Sequence, residues 1–97
     1  MAFNLFKKKG ISVNSANFAR LVKQYCLDSG IPIPMQIKIT KAIAKDFIDD
    51  PKRNINDFFL LDDDYAKQYL TFNGLNALDA EIFWSIMKAN SASFFKA

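Results

Sequence analysis

The sequence predicts an all-α fold, a compact bundle of four or five short helices forming one domain over residues 1–97. Three observations predict it. Apolar residues recur at helical spacing in successive stretches. Helix-stop signals (Gly30, Pro51 and Asn73-Gly74) separate those stretches. No repeat, low-complexity tract or linker divides the chain, whose 97 residues sit near the lower end of what a single core stabilises unaided.

After an apolar and basic N-terminal arm (residues 1–10), Asn14 and Ser15 supply caps for a first helix running to about Asp28, with Gly30 at its C-terminal end. Phe18, Leu21, Val22, Tyr25 and Ser29 share one face of it. Arg20 and Lys23 lie on the opposite side, with Leu27 as an exposed apolar neighbour.

The next segment has two readings. Ile31, Ile33, Met35, Ile37 and Ile39 alternate as in a strand, yet Pro32 and Pro34 restrict such a strand to an edge. This leaves a brief extended segment near 31–39 as one option. The favoured reading is a helix from Pro34 to about Asp49, with Pro34 at its first position and Pro51 stopping it. Its inner stripe would be Ile37, Ile43, Ala44, Phe47 and Ile48, with Lys38, Lys41 and Lys45 opposite.

A third element starts at Asn54 or Asn56. Phe58, Leu61, Tyr65, Tyr69 and Phe72 share a face if the helix is continuous, but Asp62-Asp63-Asp64 argues for a corner at Asp62, because aspartate favours caps and first turns. The last helix opens around Leu78-Asp79 and runs to about Asn90. Leu78, Ile82, Ile86 and Ala89 define its expected face, Phe83 and Met87 extend that face, and Trp84 lies further round. A helix this apolar is central to its bundle or half-covered by a partner.

Composition narrows the chemistry. The chain has no histidine, one cysteine and ten phenylalanines. Histidine is the side chain most readily poised for proton transfer near neutral pH and the commonest metal ligand. Most hydrolytic triads and zinc sites are therefore out of reach, and the expectation is a non-enzymatic protein with no catalytic residue, metal or cofactor. The three glycines form no phosphate loop. Ser85 and Lys88 have the spacing of a Ser/Lys pair but lack its companion motifs. The acidic groups Asp46/Asp49/Asp50 and Asp62/Asp63/Asp64 lack the glycine turn and terminal glutamate of a calcium loop and suit helix ends. Cys26 has no cysteine to pair with and reads as a buried thiol, which fits a reducing, cytoplasmic setting. At the N-terminus apolar residues precede Lys7-Lys8-Lys9, the reverse of a secretory leader. The run Phe58–Leu61 falls far short of the roughly 20 residues of a membrane helix, so no stable membrane insertion is expected.

Contact surfaces remain. The net charge of +3 is split into +6 over residues 1–53 and −3 over residues 54–97, which suits an anionic partner or head-to-tail pairing of two copies. Phe3 and Phe6 in the N-terminal arm, Phe94 and Phe95 in a C-terminal tail (residues 91–97), and Trp84 are the candidate aromatic anchors for a protein partner. Lys38, Lys41, Lys45, Lys52 and Arg53 form the candidate face for nucleic acid or an acidic partner. Thr40–Phe47 followed by a second short helix suggests a helix-turn-helix, though its turn Ile48-Asp49-Asp50-Pro51 carries two carboxylates and no glycine. The alternating Met35–Thr40 run suggests a ribbon-helix-helix. The leading expectation is a small adaptor, subunit or inhibitor, of the kind phages and other mobile elements encode, that binds a larger protein or nucleoprotein assembly. The alternative is direct DNA or RNA binding by the basic N-terminal half.

Overall fold

A computed structural model describes residues 14–95 of the chain. The candidate anchors Phe3 and Phe6, with the whole arm 1–10, lie outside the described residues, as does the side chain of Phe95. The fold is all-α: α1 (Ser15–Tyr25), α2 (Ile33–Phe47), α3 (Ile55–Phe59), α4 (Asp63–Phe72) and α5 (Ala77–Ala89), followed by a 3-10 helix (Ser91–Phe95). No strand occurs among the described residues.

The starts of α1, α3, α4 and α5 are each set by a side chain that accepts from an otherwise orphaned backbone N–H. Asn14 accepts from Asn17 N at 2.8 Å, Asp62 from Tyr65 N at 2.8 Å, and Asn76 from Asp79 N at 2.7 Å. Asn54 opens α3 with a capping box, in which Asp57 reaches back to the Asn54 N–H at 2.9 Å. The break at Asp62 is thus a cap.

The segment near 31–39 is helical, so the extended alternative and the ribbon-helix-helix it would have served are both overturned. Pro32 caps α2 with φ −56°, and Pro34 falls in its first turn, where missing N–H groups cost nothing. The inner face of α2 also differs from the expected stripe. Gln36, Ile39, Thr40, Ile43, Ala44 and Phe47 are buried, whereas Ile37 is 51 % exposed. The cause is Gln36: its Nε2 donates to the carbonyls of Cys26 at 3.2 Å and Ile31 at 2.8 Å, tying α2 to the turn that ends α1. With Gln36 inward, Ile33 and Ile37 lie about a quarter-turn away, toward solvent.

α1 packs along α2 and α4 along α5, while α3 bridges α2 and the 3-10 helix and α1 also touches α5. The shared core holds Phe18, Val22, Ile39, Ile43, Phe58, Leu70, Phe83, Met87 and Phe94. Each fully buried large side chain contributes about 1.5–3 kcal/mol. The inner face of α5 is Ala80, Phe83, Trp84 and Met87, not the Leu78/Ile82/Ile86/Ala89 stripe; Leu78 is exposed and Ile82 and Ile86 are half-buried. An aromatic cluster selects this rotation: the Trp84 ring meets Phe58 edge-on at 5.3 Å.

Candidate interaction surfaces

The aromatic anchors within the described residues turn inward. Phe94 is fully buried, with ring centroids 5.4 Å from Phe18, 5.5 Å from Phe59 and 5.9 Å from Tyr25. Trp84 is 3 % exposed, and its indole N–H donates to Asp63 Oδ1 at 2.8 Å. Both are core residues in this conformation and present no surface to a partner. The 3-10 helix carries Phe94 back onto α1 and α3, which is why an aromatic near the chain end is dry.

Five of the six carboxylates in the two acidic groups accept hydrogen bonds within the fold. Asp46 accepts from the Tyr69 hydroxyl at 2.7 Å, Asp49 from Ser15 Oγ at 3.1 Å, and Asp50 from Lys52 N at 2.8 Å. Asp62 caps α4, and Asp63 takes Trp84 and the Lys88 ammonium at 3.3 Å. Among the described residues no group of three or more His, Cys, Asp or Glu is placed to hold a metal ion. The indole hydrogen bond and then Lys88 hold the Asp63 carboxyl below the usual aspartate value. Burial, then the Asp46 hydrogen bond, pushes the Tyr69 hydroxyl well above a free phenol. Burial pushes the Cys26 thiol up to about 11, so it carries no nucleophilic thiolate at neutral pH.

The five basic residues are all exposed, with Lys38, Lys41 and Lys45 on one side of α2 and Lys52 and Arg53 in the connection that follows it. The Lys38 ammonium leans on the α4–α5 connection, where a Cβ on Gly74 would sit 3.0 Å from its Nζ. Lys41 turns toward α1, and Lys45 occupies the last turn of α2. Arg53 folds over the Phe47 ring at 5.2 Å, with Lys52 beside it in the α2–α3 connection. α3, the second helix of the helix-turn-helix reading, has only five residues and buries Ile55 and Phe58, which leaves no recognition helix there.

A different surface emerges between α1 and α2. Ala19, Val22 and Lys23 from α1 and Ile33, Gln36, Ile37, Thr40 and Lys41 from α2 line an open cleft of about 300 Å³. Its two polar floor residues are committed inward: Gln36 to the carbonyls already named, and Thr40 Oγ1 to the Gln36 carbonyl at 2.6 Å. What remains toward solvent is an apolar trough with half-exposed Ile33 and Ile37 and one lysine from each helix. Leu27, expected on the basic side of a helix running to about Asp28, lies in the turn two residues past the end of α1 and is 68 % exposed. Sequence reasoning missed the cleft because it took Ile37 as core. The available signal was the i, i+4 isoleucine pair beside a glutamine on the competing face.

No helix among the described residues is long and apolar enough to cross a membrane. The chain matches no protein-family model, no curated protein and no solved structure.

Proposed function

We propose that this protein is a non-catalytic binding module of the cytoplasm, an adaptor, subunit or inhibitor whose α1–α2 cleft receives an apolar helical segment of a partner protein flanked by acidic residues. The observation that carries the reading is the exposed Ile33/Ile37 pair lining an apolar cleft with Lys23 and Lys41 on opposite walls. Apolar side chains of a partner helix bury in such a trough, and the two ammonium groups favour carboxylates at its edges. The volume accommodates a few side chains of an incoming helix, which makes the cleft an anchor point of a larger contact. A free, buried Cys26 supports the reducing compartment.

Affinity capture from nuclease-treated native lysate tests this with three baits: the parent chain, Ile37→Glu and Lys41→Glu. Both substituted positions are exposed, so the fold tolerates the changes. A partner held by the parent and lost by about ten-fold or more with Ile37→Glu supports the cleft. Equal retention by all three baits removes it.

A second reading rests on Lys38, Lys41 and Lys45, which lie on the outer half of one 15-residue helix. Duplex nucleic acid would bind there with affinity falling steeply as salt rises. Absence of any anisotropy change with a nonspecific duplex at low salt ends that reading.

A further inference from the structure

α4 turns a second unpartnered face to solvent. Phe72 is 89 % exposed and Tyr65 57 % exposed, two helical turns apart on the same side. Asp64, Gln68 and Thr71 complete the exposed stripe, while Ala66 and Leu70 face the core. The stripe is electrically bipolar. Asp62 and Asp64 stand exposed at its N-terminal end, Asp63 being turned to Trp84 and Lys88 of α5, and at its C-terminal end the Lys38 ammonium lies against Gly74, two residues beyond Phe72.

We infer that this face pairs with a second copy of the same chain, α4 against α4 in antiparallel register about a twofold axis near Gln68. That arrangement makes the surface self-complementary, as an isologous contact must be. Each Phe72 ring covers the partner copy's Tyr65, and each acidic N-terminal end meets the Lys38 end opposite. Parallel pairing would instead stack the two acidic ends on each other. Single-stranded nucleic acid stacking on the two rings is the rival occupant, and the Asp62 and Asp64 carboxylates at the Tyr65 end repel its phosphates. α4 is about 15 Å long, so the patch is small and the dimer weak, in the range of transient association.

Sedimentation equilibrium from micromolar to millimolar concentration tests the pairing. The expected result is a mass rising toward that of two chains, with Phe72→Glu monomeric throughout and Lys38→Glu weakening association several-fold. Both positions are exposed, and a far-UV CD spectrum matching the parent shows that each variant is folded. A parent chain monomeric at millimolar concentration overturns the inference, as does association that Phe72→Glu leaves unchanged. The α1–α2 cleft shares none of the α4 stripe residues, so this result stands apart from the capture experiment.

Discussion

Trp84 and Asp63 join α5 to the first turn of α4 through one hydrogen bond, indole Nε1 to Oδ1 at 2.8 Å, at the edge of the aromatic cluster. The indole body is buried against Phe58 while its single polar atom finds a charged acceptor at the surface. Lys88 binds the same oxygen and lies 5.5 Å from the indole ring centroid, so three side chains clasp the α4–α5 pair.

The clasp is pH-dependent in a defined direction. The Asp63 carboxyl titrates below its unfolded value of 3.8, so the unfolded chain takes up its proton first on acidification. Its contribution is complete above the unfolded value and is lost as pH falls through the folded one. Thermal melts of the parent should therefore lose more stability on acidification than those of Asp63→Asn, which keeps an acceptor oxygen but not the charge. The side chain is exposed, so the effect is small.

Phe94→Ala removes a fully buried ring that touches Phe18, Tyr25 and Phe59. The cost is about 3–5 kcal/mol, a large share of the stability of a domain this size. Thermal denaturation followed by CD should show a fall in Tm of about 4–8 °C per kcal/mol lost. A surface-exposed anchor would leave the melt unchanged.

Gln36→Leu conserves bulk but removes both bonds to the Cys26 and Ile31 carbonyls. Cys26 O keeps Ser29 Oγ at 2.8 Å as a partner, so the loss falls mainly on Ile31. The expected destabilisation is about 1–3 kcal/mol, read as a lower urea midpoint at unchanged slope.

Cys26 should be silent to a thiol reagent in the native protein at mildly alkaline pH and react at once in urea. Its ionisation also sets a slope. The unfolded thiol loses its proton near 9.0 and the folded one near 11, so stability falls as pH rises across that window. Replacing Cys26 with Ala should flatten that slope, measured by urea midpoints at successive pH values.

Most helix starts were legible because their causes are local, whereas α1 ends at Tyr25 and α2 at Phe47, short of the expected Asp28 and Asp49. Asn14, Asn54 and Asp62 cap within a few residues of themselves, Gly30 and Gly74 take positive φ values of 86° and 119°, and the corner at Asp62 needs nothing beyond three aspartates. Which side of each helix faces inward was not local. α2 and α5 are apolar around much of their circumference, so periodicity alone leaves several rotations of similar burial. The choice fell to groups distant in sequence: Gln36 reaching the carbonyl of Cys26, and Trp84 wedged between Phe58 and Asp63. With those contacts made, Ile33, Ile37, Tyr65 and Phe72 lie outside, while Phe18, Tyr25 and Phe59 hold Phe94 inside. The sequence by itself determined a helical domain and the capped starts of α1, α3 and α4, because capping and chain geometry act over a single turn. The helical state of residues 33–39 came from the tertiary structure. Only the tertiary structure decided which apolar residues are core and which are surface, because burial depends on neighbours that meet when the helices pack.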